Sequence, residues 1–195
     1  MRRELLHDDD IFVIHDFLTP EECARFIATS EAVGYGDAPI GGDAGFVVKD
    51  FRSNDRATWD DPATASALYD RARPLLPAVF GGRELCGFNE RFRYYRYAKG
   101  QEFKWHFDGE YHRFNAAGEA SKLTFMIYLN GGFTGGETKF NLLKTLQPVD
   151  GAVLSVVPAP GKALVFRHDI LHTGAMVLDG IKYVMRTDVM FRPLG

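Results

Sequence analysis

Residues 91–109 read RFRYYRYAKGQEFKWHFDG, and this stretch decides the fold. Two runs rich in Phe, Tyr and Trp lie on either side of Gly100, and such side chains favour β-strands. We therefore predict strands near 91–97 and 103–107. Outward from this stretch, other runs rich in Val, Ile, Phe, Tyr and Thr are separated by glycines, and they predict further strands near 122–129, 137–140, 152–156, 163–167 and 181–191.

The N-terminal part predicts one short strand, IFVIH at 11–15, and two helices. The first helix begins after Thr19, a good N-cap, with Pro20 at the first helical position and Glu22 completing a capping box. The second begins at 61–62 by the same logic and ends where Pro74 interrupts it.

The pattern as a whole predicts an α+β fold. Many short strands with Gly and Pro turns are typical of a β-sandwich or a jelly roll; we predict a double-stranded β-helix (jelly roll) core and expect the N-terminal helices to pack on one of its sheets. A length of 195 residues suits one domain, 1–195. Within it we expect 1–86 to support a jelly-roll core over 87–195.

Composition excludes several classes of function. The net charge is −3, from 23 basic and 26 acidic residues, and no basic run of five occurs, which argues against a nucleic-acid partner. No uncharged apolar stretch is long enough to span a membrane. Cys23 and Cys86 form no paired motif, and two lone thiols fit a reducing compartment. We expect a cytoplasmic protein, and the sequence leaves its oligomeric state open.

His106 and Asp108 are the first candidates for chemistry. One residue separates them on a predicted strand, so both side chains lie on the same face. An imidazole beside a carboxylate makes two-thirds of the facial triad of non-haem iron(II) oxygenases. The spacing alone is weak evidence, because an HxD pair is usually a surface pair or a strand-end ion pair.

The third ligand has to come from a distant strand. We assign it to His172, which follows the strand GKALVF and precedes Lys182, at the start of the next strand, by ten residues. Two other histidines compete: His168, four residues earlier, and His112, in the polar loop after Asp108. We interpret both as polar groups outside the ligand set, and His7 and His15 as surface or core residues.

Four stretches carry a family resemblance: RYYRYAKGQEFKWHFDG, SKLTFMIYLNGGFTGGETKF, GKALVFRHDILHTG and GIKYVMRTDVMF. Together they resemble the iron(II)- and 2-oxoglutarate-dependent dioxygenases of the prolyl 4-hydroxylase-like group, in particular its small bacterial members. The resemblance covers about half of the chain. It implies a hydroxylase that uses iron(II), 2-oxoglutarate and dioxygen, with ascorbate as a further candidate cofactor, and it puts His106, Asp108 and His172 at the iron.

The same resemblance implies how the cosubstrate is bound. Lys182 falls on the basic residue that pairs with the distal carboxylate of 2-oxoglutarate, while Tyr97 and Thr124 fall on residues lining its pocket. Arg186 is the alternative partner for that carboxylate, because alternation places it on the same strand face as Lys182. The GGET turn at 135–138 is interpreted as structural.

Two other functions remain open: a non-catalytic metal- and ligand-binding jelly roll, and a zinc hydrolase using the same three ligands. The first would not need Lys182, Tyr97 and Thr124, and the second lacks a well-placed general base, since Glu102 and Glu110 are weak candidates. Phe103 and Trp105 depart from the family pattern, which leaves a peptidyl proline, a free amino acid or another small molecule as substrate.

The polar loop 109–121 follows Asp108 directly. We predict that it is a mobile lid over the metal, with Gly109 and Gly118 as hinges, and that Trp105, Tyr95 and Arg93 line the way in.

Overall fold

The computed structural model of the chain describes residues 1–41, 45–115, 117–143, 145, 148–149 and 151–194. Within them it contains two α-helices, α1 (Pro20–Val33) and α2 (Pro62–Ala72), followed by a 3₁₀ turn at Arg73–Leu75. The described strands are, in chain order, β1 (Arg2–His7), β2 (Ile11–His15), β3 (Gly36–Asp37), β4 (Asp55–Asp60), β5 (Val79–Phe80), β6 (Arg83–Phe88), β7 (Arg91–Tyr97), β8 (Phe103–His106), β9 (Ala120–Tyr128), β10 (Thr134–Gly135), β11 (Thr138–Asn141), β12 (Val153–Val156), β13 (Ala163–Arg167), β14 (His172–Gly174), β15 (Val177–Asp179) and β16 (Lys182–Pro193).

Two antiparallel sheets make up most of the fold. The larger has ten strands and follows the order β1-β2-β13-β9-β16-β7-β4-β3, with β6 paired to β16 and β5 paired to β6. The smaller has four strands in the order β12-β11-β14-β8, and β10 pairs with β15 as a separate ribbon. The chain is thus mostly β-structure with two helices, and none of the described helices is long and apolar enough to cross a membrane.

Both helices begin where the sequence predicts. The Thr19 side chain accepts a hydrogen bond from the Glu22 N–H, and the Glu22 carboxylate accepts one from the Thr19 N–H. Gly34 ends α1 in a left-handed conformation, with φ of 88°. The Asp61 side chain caps α2 by accepting from the Thr64 N–H.

The two faces of the large sheet bury different sets of side chains, because successive residues of a strand point to opposite faces. On β9, Leu123, Phe125 and Ile127 face one way and pack with residues of both helices, such as Cys23 and Leu68. The opposite face meets the small sheet and forms a second core, whose members include Tyr95, Tyr97, Met126, Tyr128, Phe140, Phe166 and Val184. The functional side chains lie at the end of this second core.

The predicted strands are confirmed with bounds shifted by two residues or fewer. The sequence analysis did not predict several others, among them β1, β4, β6 and β14. β6 reads RELCGF and lacks the alternation of apolar and polar residues that marks a half-buried strand, whereas β4 reads DRATWD and alternates only from Arg56 to Asp60, with small Ala57 and exposed Trp59 as its apolar residues.

Candidate metal centre and cofactor pocket

Strand pairing brings the two distant histidines together. β8 and β14 are antiparallel neighbours, and His106 lies directly opposite His172 in their register. The two ring centroids are 4.2 Å apart. Asp108 follows β8 by two residues and is held by its N–H, which donates to the His168 carbonyl at 3.0 Å. One ligand atom from each of His106, Asp108 and His172 lies within 4.8 Å of the others.

The backbone orients both imidazoles. His106 Nδ1 lies 2.6 Å from the Lys104 carbonyl oxygen, and His172 Nδ1 lies 2.9 Å from the Ile170 carbonyl oxygen. A carbonyl can only accept, so each Nδ1 carries the proton and each Nε2 keeps a lone pair for a metal. Both Nε2 atoms face Asp108, at 4.0 Å and 3.7 Å from its carboxylate oxygens.

Electrostatics keep this donor set in the protonation state that a metal needs. Burial lowers the pKa of His106 and His172, so both rings are neutral near neutral pH. Burial by itself would raise the pKa of the Asp108 carboxyl, but the charge of the Arg186 guanidinium outweighs burial and holds that pKa well below its usual range. Two neutral imidazoles and one carboxylate are the donor set of a non-haem iron(II) site, which these residues therefore fit.

Two further side chains bind the Asp108 carboxylate. Thr124 Oγ1 donates to Oδ2 at 2.6 Å, and Arg186 Nη1 donates to Oδ1 at 2.6 Å. The other end of the Arg186 guanidinium donates to Asp188 at 3.2 Å. The structure thus places Arg186 and Thr124 at the metal end of the site, as partners of a candidate ligand.

Lys182 lies in the same narrow cavity, away from Asp108. Its side chain is 2% exposed, and Nζ donates to the Gly136 carbonyl at 2.6 Å. Nζ also lies 4.8 Å from the centroid of the Tyr97 ring and 5.7 Å from that of the Tyr128 ring. Burial lowers the pKa of Lys182 to about 7, although Glu137 acts in the opposite direction.

The sequence-predicted residues therefore share one cavity. Its walls include all seven predicted site residues, namely Tyr97, His106, Asp108, Thr124, His172, Lys182 and Arg186. The free space is only about 30 Å³, because side chains fill most of the cavity. A five-carbon keto acid would need more space than this, and Lys182 could bind it by exchanging its hydrogen bond to the Gly136 carbonyl for one to the ligand.

Sequence analysis missed several residues of this cavity. Thr138, interpreted as part of a structural turn, lines it, and its Oγ1 lies 2.7 Å from Tyr128 Oη. The alternation of β9 contained a usable signal, because Thr124, Met126 and Tyr128 share one face. The Gly136 carbonyl, which accepts from Lys182, left no signal in the pattern, because any residue offers a carbonyl.

The competing histidines lie outside the candidate ligand set. His112 is exposed and lies 3.5 Å from Glu110. His15 is half-buried and lies 2.8 Å from Glu4, and the exposed His7 lines a separate cavity. His168 is 4% exposed, and neither of its ring nitrogens has a hydrogen-bond partner.

Of the three residues expected to line the entrance, Tyr95 lines the metal cavity and Arg93 donates to Asp188 at 3.1 Å. Trp105 is half-buried. It is not among the residues that line this cavity in the described part of the chain.

Comparison with known proteins agrees with this geometry. The model of a family described as the 2OG-Fe(II) oxygenase superfamily matches residues 92–187, about half of the chain. No curated protein matches the sequence significantly.

Several solved structures share the fold. A viral collagen prolyl hydroxylase from Paramecium bursaria Chlorella virus-1 is 21% identical, with a TM-score of 0.62 over 92% of this chain and 95% of that one. A Trichoplax adhaerens prolyl hydroxylase, solved with a hypoxia inducible factor peptide fragment, is 15% identical, with a TM-score of 0.67 over 93% and 84%. A Pseudomonas putida prolyl-4-hydroxylase is 18% identical, with a TM-score of 0.62 over 95% and 94%.

The antiparallel fold and the His-Asp-His cluster together define a class of protein, the oxygenases that use a site of two histidines and one carboxylate. The family match makes this more specific. The chain belongs to the 2OG-Fe(II) oxygenase superfamily and is an iron(II)- and 2-oxoglutarate-dependent oxygenase.

Proposed function

We propose that the chain hydroxylates a small or peptidyl substrate, with His106, Asp108 and His172 as the iron ligands and Lys182 as the anchor of 2-oxoglutarate. One observation carries the proposal: a metal-ligating cluster and a buried lysine line the same cavity. A bare metal site has no use for a buried cation, whose burial is costly unless a charge compensates it. A dicarboxylic cosubstrate supplies that charge.

Each side chain has a separate task in this proposal. The histidines and Asp108 hold the metal, and the carbonyls of Lys104 and Ile170 keep the two rings oriented. Thr124 fixes one oxygen of Asp108 by donating to it. When bound, iron(II) activates dioxygen, so that one oxygen atom enters the substrate while the other enters succinate and C1 of 2-oxoglutarate leaves as CO₂.

The far end of the cosubstrate needs charge-assisted hydrogen bonds, each worth about 1.5–3 kcal/mol. Lys182 supplies one when it releases the Gly136 carbonyl, and Tyr97 and Thr138 line the same region. Arg186 is the weaker candidate for this task, because its guanidinium already spans Asp108 and Asp188. The aromatic walls exclude water from the reaction.

We also propose a jelly-roll core over residues 87–195, with 1–86 as its support, in a single domain spanning 1–195. The two antiparallel sheets and their shared buried core support this arrangement.

Cys23 and Cys86 are both free thiols, which supports the expectation of a cytoplasmic location. Ascorbate as an accessory reductant and the absence of nucleic-acid and membrane partners stay predictions. So does the substrate choice between prolyl peptides, as the names of the relatives suggest, and free amino acids.

The test begins with metal binding. Protein mixed with iron(II) and 2-oxoglutarate without oxygen should show the weak visible band of an iron–keto acid chelate, and oxygen should then yield succinate. Asp108→Ala and His172→Ala should each abolish the band, whereas His112→Ala, in an exposed loop histidine, should keep it. Retention of the full band in both ligand variants would disprove the assignment. A band without succinate would favour a binding protein, and neither signal would favour a different chemistry.

A further inference from the structure

A second cavity, of about 470 Å³, opens beside Asp108, and we call it the lateral cavity. Among the described residues, Asp108 is the one that lines both the lateral cavity and the Lys182 cavity. Its size falls within the range of about 300–1,000 Å³ typical of small-molecule sites. A ligand in the lateral cavity would therefore lie beside the candidate metal without competing for the 2-oxoglutarate pocket.

Charges of both signs line the lateral cavity. Lys122 pairs with Glu110 at 2.7 Å. Arg167 pairs with Asp10 at 3.1 Å and with Asp169 at 2.5 Å. Apart from Asp108, three carboxylates thus face two permanent cations, and the large apolar side chain of the lining is Phe80. The surplus of carboxylates favours a ligand that carries a positive charge.

His168 forms part of the wall and is the least satisfied polar side chain there. It is 4% exposed, both ring nitrogens are buried without a hydrogen-bond partner, and the nearest carboxylate oxygen, on Asp188, is 3.8 Å from Nε2. Buried polar groups in native proteins are nearly always paired, so an unpaired imidazole in a cavity wall is a position where a ligand can complete the bonding.

Resting on the proposed function, we infer that the lateral cavity is the primary-substrate site and that it takes a free amino acid. The ammonium group of such a molecule meets the carboxylates of Glu110 and Asp169, and its carboxylate meets Lys122 and His168. An internal residue of a peptide carries neither charge, and it would bury these ion pairs against neutral groups, which is unfavourable. Another cavity, of about 290 Å³, has Phe107 in its lining. It shares Asp10, Arg167 and Asp169 with the lateral cavity, so these ion pairs lie between the two.

The first experiment uses the iron-loaded protein with 2-oxoglutarate and oxygen. The probes are the free amino acids, their N-acetyl and methyl ester derivatives, and proline-containing peptides. At least one free amino acid should stimulate succinate formation and gain one oxygen atom. Removal of either charge from that molecule should lower kcat/KM by about tenfold or more, as expected for the loss of one charge-assisted hydrogen bond.

Equal stimulation by the blocked derivatives, or stimulation by peptides alone, would overturn the inference. The inference would also fail if the protein formed succinate slowly without a substrate, and no free amino acid either stimulated that reaction or raised the Tm of the protein. In both cases the proposed dioxygenase function would stand. A protein that shows neither the iron–keto acid band nor succinate would instead remove the proposed function, and the inference with it.

The second experiment uses variants of the lateral cavity. Lys122→Ala should raise KM for the amino acid by about tenfold or more while the KM for 2-oxoglutarate is unchanged. Lys99→Ala is the matched control, since Lys99 is an exposed lysine that pairs with Asp179 at 3.6 Å, outside the cavity lining. His168→Gln should keep the band but form more succinate per hydroxylated product, because a mispositioned substrate leaves turnover uncoupled. Unchanged KM in Lys122→Ala and unchanged coupling in His168→Gln would contradict the assignment.

Discussion

The buried Lys182 gives the most specific prediction at the scale of single residues, the pH dependence of 2-oxoglutarate binding. Burial lowers its pKa to about 7, so in the cosubstrate-free protein it loses its proton as the pH rises above neutrality. Binding of a carboxylate requires the ammonium form, and we predict that the Kd for 2-oxoglutarate rises above pH 7, by up to about tenfold per pH unit, and is flat below it. Titration of the metal-loaded protein without oxygen, across this range, measures the effect.

Two variants of Lys182 complete that test. Lys182→Ala should raise the KM for 2-oxoglutarate and leave iron affinity nearly unchanged, because Lys182 Nζ is hydrogen-bonded to the Gly136 carbonyl and not to a candidate metal ligand. Lys182→Arg should bind 2-oxoglutarate without the pH dependence, because a guanidinium stays protonated throughout. A wild-type Kd that does not change with pH would show that Lys182 keeps its charge or does not bind the cosubstrate.

Arg186 supports a different prediction, since it is paired with Asp108 and Asp188 inside the protein. Arg186→Met should destabilise the metal-free protein by about 3 kcal/mol, because it leaves buried carboxylates with fewer partners. Bound Mn²⁺ or iron(II) should recover much of the loss by neutralising Asp108. Thermal unfolding with and without metal tests this. Arg96→Met, in a more exposed arginine that pairs with Glu31 and Asp55, is the control. An equal metal-induced increase in Tm for Arg186→Met and the wild type would contradict the prediction.

At the scale of single residues, the sequence predicted which side chains share the metal cavity, but not which hydrogen bonds each of them makes in it. A period of two predicts that His106 lies with Asp108 and Lys182 with Arg186, and all four line one cavity, although Asp108 follows β8 by two residues and is not part of the strand. That Arg186 binds Asp108, and that His168 is buried without a partner, depends on distances between strands that lie far apart in sequence. Local pattern contains no information on such distances.

At the scale of elements, the start of α1 carries a pH-sensitive interaction. The Glu22 carboxylate caps the helix and binds Arg71 at 2.6 Å, and this hydrogen bond is the largest cause that lowers the pKa of Glu22 to about 2 from its ordinary value of 4.5. A lowered carboxyl pKa stabilises the fold above about pH 4.5, and this stabilisation is lost as the pH falls through 2. Because the pair is partly exposed to solvent, we expect about 1 kcal/mol.

Urea unfolding of Glu22→Gln at different pH values measures this contribution. The variant should be less stable than the wild type at pH 6–7, and the difference should shrink on acidification toward pH 2. Glu84→Gln, in the exposed pair with Arg192, is the control and should have a smaller effect at every pH. A difference between wild type and Glu22→Gln that stays constant with pH would exclude Glu22 as the titrating group.

The elements also show where prediction from sequence stops. Both helices were predicted in full because their caps are local, with Thr19 and Asp61 each bonding to residues three positions later. β14 was missed although it carries His172, because three residues are too few to show a period. It exists as a strand because β11 and β8 pair with it on either side.

At the scale of the whole molecule, the two faces of the large sheet have different roles: residues on one face contribute to the core, and residues on the other line the candidate site. One of its faces packs on the helices with Leu123, Phe125 and Ile127 of β9, whereas the other presents Thr124 and Met126 to the metal cavity. Substitutions that enlarge or shrink the helix-facing core therefore change stability first, while those on the opposite face reach the site directly.

The loop 109–121, of which residue 116 lies outside the described residues, connects the site to the surface. It starts at Asp108, and Glu110 at its root lines the lateral cavity. Ion pairs of Arg113 with Glu90 and Glu119 hold the loop in place, and Phe114 is fully exposed. Backbone hydrogen bonds from Arg113 to Glu119 and from Ser121 to Tyr111 also join the two sides of the loop. Because the loop is bonded mainly to itself and its ion pairs lie near solvent, we expect it to move as a unit and to act as the predicted lid.

Hydrogen exchange tests whether the loop closes over bound substrate. Exchange in the loop should slow only when 2-oxoglutarate and a turnover-supporting substrate are both present, because only then do Glu110 and Lys122 gain a ligand to hold. Glu90→Gln, which removes one partner of Arg113, should speed exchange of the free loop and raise the KM for substrate while β1, an edge strand of the large sheet, exchanges as in the wild type. If exchange in the loop is the same with and without saturating ligands, the loop is only a connection between β8 and β9, and the lateral cavity must hold its substrate without a lid.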